Sequence, residues 1–164
     1  MIRCFHMNKA DKDCWLSLLF DLYHANMQHI APSALPYQQE RSHWLSEVSP
    51  GLDKAARQVI LCLEDDHLIG YIQYYTRGQL LMVEEFQITH AYQCTPLFHR
   101  MCNYLCAHLP AEIKRVEAFA DIRNSKSLTI MKKMGFLESY DENCPGFVHL
   151  CADFAKVHTY FPKA

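Results

Sequence analysis

Polar and apolar positions along the chain alternate between two periods. Ile2 to Met7 alternates in steps of two and predicts a strand. Asp11 and Asp13 then place acid at a helix start, and Trp15, Leu18, Leu19, Leu22 and Tyr23 recur at helical spacing to about Met27. Pro32 and Pro36 interrupt, and Tyr37 to Val48 reads as a shorter helix with Trp44, Leu45 and Val48 on one side. Gln58–Leu63 and Leu68–Tyr75 are rich in β-formers and flank Asp65-Asp66, which predicts a hairpin. Arg77-Gly78 marks the next turn, and Leu80–Thr89 is a further strand with Glu84 and Glu85 inside an apolar run. Pro96–His108 predicts a helix with a broad apolar face, and Arg115–Ala120 a strand. Asn124 caps a helix to Met134, and Gly135 stands where a C′ glycine belongs. Phe136–Tyr140 and Phe147–Phe154 predict a closing antiparallel pair. The order β-α-α-β-β-β-α-β-α-β-β implies an α/β layer architecture with a mixed sheet. The breaks are loop-sized, including Pro50 to Lys54 and Asp141 to Gly146, so residues 1–164 read as one domain.

Composition narrows the class. At 164 residues, 50% hydrophobic and 12% aromatic, the chain can bury a core without metal or disulfide help. Sixteen Lys and Arg stand against 18 Asp and Glu, so the basic surplus of a broad nucleic-acid binder is missing. No apolar window reaches the roughly 18 residues of a membrane helix, and the N-terminus turns polar too soon for a signal peptide. A cytoplasmic protein without membrane contact is expected. The eight cysteines include no C-x-x-C pair and read as free thiols of a reducing cytosol, mostly packed as small hydrophobes. The ten histidines form no metal signature, so no metal is expected.

The segments Val83 to Gln93 (VEEFQITHAYQ) and Asn124 to Phe136 (NSKSLTIMKKMGF) resemble the GNAT superfamily of acyl-CoA-dependent N-acetyltransferases. The element order extends the resemblance across the chain. It is motif-level from about Val83 to Phe136, where an Asn-headed helix ends in Gly135-Phe136 and Tyr92-Gln93 matches the pair that opens the pyrophosphate loop. The resemblance implies a three-layer α/β fold, with a mixed, mostly antiparallel sheet of about six or seven strands flanked by about four helices. It implies acetyl-CoA as co-substrate, lying where the fourth and fifth strands splay apart. The thioester would meet strand-four backbone near Gln87, Ile88 and Thr89. The pyrophosphate would sit at the next helix start, over Gln93, Cys94, Thr95, Pro96, Leu97 and Phe98. Asn124 heads the second helix of the site, and Lys126 in its first turn could reach a phosphate.

Two departures from the family pattern stand out. Pro96 and Phe98 occupy the two small positions of the loop, and no glycine lies between Gly78 and Gly135. Pro96 removes one N–H donor, and Phe98 brings a ring to where the family lets phosphate approach the backbone. Counting from Asn124, Met131 stands where many members carry a tyrosine acid, and a thioether donates no proton.

Acetyl transfer needs a base to neutralise the amine. Glu84 and Glu85 are the candidates, Glu85 the favoured one; alternation along a strand predicts that only one faces the cleft. The alternative makes both rim carboxylates in solvent. The first two helices would wall the acceptor side. Tyr23, Tyr37, Glu40 and Trp44 suit a cationic amine through ring faces and one carboxylate, while amphipathic core packing is the competing reading for Tyr23 and Trp44. His99, Cys102 and Cys106 share one helix face but lack a fourth zinc ligand, so helix core with a solvent-edge histidine is the favoured reading. Cys94, before a helix start, is a candidate reactive thiol or simply an exposed one. The expected function is transfer of an acetyl group to a primary amine, on a small molecule or a protein, with a homodimer as a possible assembly. The main rival is a GNAT-fold binding or regulatory module without efficient catalysis. A more distant rival is an unrelated thiol or metal protein. The tail from Lys156 to Ala164 carries no clear pattern; Tyr160, Phe161 and Pro162 could dock or fray.

Overall fold

Alternation and burial build one seven-stranded sheet in the computed structural model, which describes residues 1–140, 142 and 144–161. Pro162 and Asp141, which the sequence reading included in the tail and the last turn, lie outside the described residues. The strands are β1 (Ile2–His6), β2 (Arg57–Glu64), β3 (His67–Arg77), β4 (Leu80–Ile88), β5 (Arg115–Asp121), β6 (Leu137–Tyr140) and β7 (Phe147–Asp153). The helices are α1 (Lys12–Ile30), α2 (Tyr37–Leu52), α3 (Leu97–Ala107), α4 (Ser125–Lys133) and α5 (Phe154–Thr159), with 3-10 turns at Lys9–Asp11 and His90–Tyr92. The sheet order is β1-β2-β3-β4-β5-β7-β6.

Strands β2 and β3 are buried on two faces, which is why QVILCL and LIGYIQYY run apolar rather than alternating. Asp65 and Asp66 join them with φ of 47° and 67°, a turn in which both central residues are left-handed. One face carries α1 and α2 over Leu19, Phe20, Trp44, Val59, Leu61 and Tyr71. The opposite face carries α3 and α4 over a larger core, which Val157 of α5 and Phe161 join. All strand pairs are antiparallel except β4 with β5, which run parallel from Leu80 opposite Arg115 to Val83 opposite Ala118. Beyond that point β4 continues to Ile88 and β5 to Asp121 without pairing, so the sheet opens in a wedge.

Three expectations are corrected. Helix α2 runs through Pro50 to Leu52 instead of ending near Val48. Proline removes a single N–H late in the helix, and burial of Gly51 and Leu52 holds the last turn in place. A fifth helix, α5, forms in the tail; Asp153 caps it by accepting from the Ala155 N–H at 2.8 Å. The cysteines are not all free: antiparallel β1 and β2 set Cys4 opposite Cys62 with Cα atoms 4.3 Å apart, and the two form a disulfide. Register across strands distant in sequence decides that pairing, and no local spacing encodes it. Among the described residues no helix is long and apolar enough to cross a membrane.

Candidate active site

The wedge between β4 and β5 organises the site. Register shifts between Gln73 and Tyr74, so that Gln73 pairs with Glu85, Tyr74 with Val83, and Glu84 is the extra residue of a bulge. The bulge sets both carboxylates on one face of the sheet, where alternation along a regular strand would put them on opposite faces. Tyr71 and Gln73, two residues apart on β3, share the face under α1 and α2, and each binds one of the two glutamates. Gln73 Nε2 donates to Glu84 Oε2 at 3.0 Å, and Arg57 forms an ion pair with the same carboxylate. Glu85 accepts instead from the Tyr71 hydroxyl and from Trp44 Nε1 at 3.3 Å.

These partners give the two carboxylates different electrostatics. Glu84 has a cation beside it. Glu85 has neutral donors only, within a wall of aromatic rings. Desolvation by that wall, against the pull of the Tyr71 and Trp44 hydrogen bonds and with help from the Glu84 charge, raises the Glu85 pKa to about 7. Tyr71 is fully buried and its phenol is pushed well above its usual value, so it stays a donor. Tyr23 is raised to about 12, first by burial and then by the charges of Glu85 and Glu40.

Of the acceptor-side residues expected from sequence, Tyr23 and Trp44 come together, with ring centroids 6.0 Å apart. Trp44 is a core residue at 7% exposure and also a donor to Glu85, so packing and polar function coincide there. Tyr37 and Glu40 are drawn elsewhere. Glu40 accepts from His24 Nδ1 at 3.0 Å, and Tyr37 stands edge-on to the His24 ring and donates to Asp21. Phe20 lies between the two groups, 5.6 Å from Trp44 and 5.3 Å from Tyr37. Sequence reasoning missed Tyr71, Gln73, Arg57 and Asn26. Tyr71, Gln73 and Tyr75 alternate in the segment LIGYIQYY, and that period-two row is the signal that could have placed them on one face.

On the other side of the wedge, Thr89 N–H donates to Ile69 O at 2.9 Å. Because antiparallel pairing alternates, Glu85, Gln87 and Thr89 bond to β3, while Phe86 and Ile88 turn their N–H groups into the gap. Of the three backbone positions expected there, Ile88 alone is so turned. The Gln87 side chain accepts from Asn26 Nδ2 at 2.9 Å, and Asn26 also reaches Ile88 O at 3.1 Å. Gln93 bridges the loop: its Nε2 donates to Ile88 O at 3.2 Å, and its Oε1 accepts from Lys126 Nζ at 2.9 Å. Cys94 takes φ of 67°, and the Thr95 hydroxyl accepts from Leu97 N–H at 3.3 Å at the start of α3, just after Pro96. Asn124 caps α4, accepting from Ser127 N–H at 3.1 Å.

The half-buried Phe98 ring packs 5.1 Å from Phe86 and 6.0 Å from Phe161, against the main core. The α3 N-terminus, with Lys126 nearby and two β4 amides turned into the gap, is a donor set that fits a phosphate-bearing thioester. Met131 packs against the main core. The histidine-cysteine row on α3 is structural: Cys102 is buried with its thiol pushed well up by desolvation, Cys106 is raised to about 11, and His99 stacks on Tyr160. Among the described residues no three His, Cys, Asp or Glu side chains converge on a metal-sized site.

A wedge between parallel strands, opening after a bulged fourth strand and facing a helix N-terminus, decides the architecture. The fold is that of the GNAT acetyltransferases. The PaiA N-acetyltransferase of Thermoplasma acidophilum, solved in complex with coenzyme A, superposes with a TM-score of 0.71 at 12% identity, covering 93% of this chain and 99% of that one. An acetyltransferase from Thermus thermophilus gives 0.69 at 14% identity, over 93% and 97% of the two chains. The protein PH1933 of Pyrococcus horikoshii gives 0.72 at 14% identity, over 93% and 98%. No protein-family model matches the chain, and no curated protein matches it by sequence.

Proposed function

We propose that this GNAT-fold protein transfers an acetyl group from acetyl-CoA to a primary amine, with Glu85 as the base. One observation carries the reading above the rest: a carboxyl with a pKa of about 7, held by two neutral donors beside the wedge. A base poised there is half ionised at neutral pH, which suits removal of a proton from an ammonium group as its nitrogen attacks. When bound, acetyl-CoA supplies the activated thioester. The Phe86 and Ile88 N–H groups, turned into the gap, would polarise the acyl oxygen. The α3 N-terminus and Lys126 would hold phosphate. Tyr23 and Trp44 would exclude water around Glu85.

Calorimetric titration with acetyl-CoA, with ATP as control, comes first. Micromolar binding, about −8 kcal/mol, followed by amine-dependent release of thiol, supports the reading. Glu85→Gln is then expected to lose about 10²- to 10⁴-fold in kcat. The second reading, a binding module without efficient catalysis, draws on the Phe86, Phe98 and Phe161 rings that pack beside the wedge and on Met131. Absence of binding at millimolar acetyl-CoA would decide for it.

A further inference from the structure

Where β4 and β5 part, on the face that carries α1 and α2, lies a cavity of about 270 Å³ lined by Tyr75, Met82, Val83, Glu84 and Phe119. Tyr75, Met82 and Phe119 present apolar side chains, while Val83 packs its own side chain into the core on the opposite face. The fifth, Glu84, is not open to a new cation. Arg57 is ion-paired with it, Gln73 Nε2 donates to it at 3.0 Å, and the same guanidinium lies over the Tyr75 ring, 5.8 Å from its centroid. Gly51 makes that arrangement possible, because a Cβ there would fall 1.9 Å from Arg57 Nη1. Phe119 stands at the cavity rim, 50% exposed, with the His149 ring 4.9 Å away on its other side. The residue next to Glu84 in the chain is Glu85, whose carboxyl has no cationic partner.

We infer that this cavity receives the side arm of the acceptor and that the arm is uncharged and apolar, so the substrate class is a primary amine with an aryl or branched aliphatic group a few bonds from its nitrogen. The inference rests on the acetyltransferase reading, with the amine at Glu85. A substrate with a second ammonium group would have to displace Arg57 from Glu84 to be neutralised in the cavity. An apolar ring has only to cover Met82 and Phe119. The same chemistry could arrive as a free arylalkylamine or as the N-terminus of a peptide whose first side chain is apolar. Burial of one such ring corresponds to about a 10- to 100-fold preference in kcat/KM.

The test uses the full chain in two measurements. The first is nitrogen-15 NMR titration, without acetyl-CoA, using 2-phenylethylamine, ethylamine, 1,4-diaminobutane and a short peptide with N-terminal Phe. Shifts at the Phe119, Tyr75 and Met82 amides with 2-phenylethylamine or the peptide, and weaker ones with ethylamine and the diamine, support the inference. Shifts led by the diamine, or none at these amides with any aryl amine, overturn it. The second is acetylation of the same panel by wild type, Phe119→Ala and Met82→Ala. The ratio of kcat/KM for the aryl substrate over ethylamine should fall about tenfold in the variants, and the better of the two aryl substrates identifies the source. An unchanged ratio in both variants, or preference for the diamine, overturns the inference while leaving acetyl transfer intact. No turnover of any amine, with aryl binding at Phe119, instead overturns acetyl transfer and leaves the cavity assignment standing.

Discussion

Glu85→Gln separates the electrostatics of the site from its activity. In the unfolded chain this carboxyl titrates near its ordinary 4.5, whereas in the folded protein desolvation holds it near 7. Folding therefore tightens the hold on the proton. The associated stability is fully present below pH 4.5 and is lost as pH rises through 7. Each pH decade within the window costs about 1.4 kcal/mol. Between pH 5 and pH 8 the wild-type protein should lose roughly 2.5 kcal/mol from this one group. Glutamine keeps the shape and still accepts one hydrogen bond, but it carries no charge to desolvate.

The measurement is urea unfolding of both proteins from pH 5 to pH 8, read as the difference between them, so that other titrating groups cancel. Glu85→Gln should gain roughly 2.5 kcal/mol on wild type across that range, about 5–10 °C in Tm for a chain of this size. Curves that stay parallel within about 0.5 kcal/mol would mean that the carboxyl titrates normally. The base assignment would then lose its physical foundation, whatever the protein binds.

Other expectations follow from individual contacts. Tyr71→Phe removes a donor that favours the ionised Glu85, so the rising limb of the pH–rate profile should move above pH 7, whereas Glu84→Gln removes a repelling charge and should move it down; shifts in one common direction would contradict the assigned contacts. Thiol titration of the unreduced, denatured protein should find six reactive cysteines rather than eight. Reducing the Cys4–Cys62 bridge should lower stability by up to about 4 kcal/mol, from the loop that it closes; eight thiols in the unreduced protein would count against the bridge. Phe161→Ala should cost about 3 kcal/mol, because this ring is 5% exposed and packs on Phe98, with loss near zero in thermal unfolding as the contrary result. Lys126→Ala should weaken acetyl-CoA binding severalfold in calorimetry, and unchanged affinity would remove Lys126 from the phosphate site.

Nearly every element was legible because local signals agreed: Asn124 before an apolar helix, Gly135 after it, Asp65-Asp66 between two β-rich runs. Helix α5 was the exception, because its six residues are too few to give a period and the Asp153 cap is its one local signal. What else stayed hidden depends on register. Cys4 and Cys62 are 58 residues apart, and only strand pairing makes them neighbours. Tyr71 and Glu85 meet only because β3 and β4 pair with a bulge between them. Glu84 and Glu85 stand out in the sequence as a pair of acids in an apolar strand. Their division of labour was not readable, since it belongs to Arg57, Gln73, Tyr71 and Trp44, drawn from three other elements.

That division shows why one extra residue matters chemically. In a regular strand, neighbouring carboxylates would face opposite layers, one buried among α3 side chains and the other under α2. The bulge brings both beneath α1 and α2, where two ionised groups side by side would repel. The repulsion is relieved on one side only. Arg57 reaches Glu84 past the bare backbone of Gly51 and forms an ion pair with it, while Glu85 meets neutral donors and keeps its raised pKa. Gly51→Ala tests this asymmetry without touching either acid. The new methyl must displace the guanidinium, so Glu84 loses part of its neutralising partner and repels Glu85 more strongly. The Glu85 titration should then move above pH 7 and stability at pH 8 should fall further than at pH 5. Equal losses at both pH values would mean that Arg57 acts as packing alone and that the bulge, not the cation, distinguishes the two carboxylates.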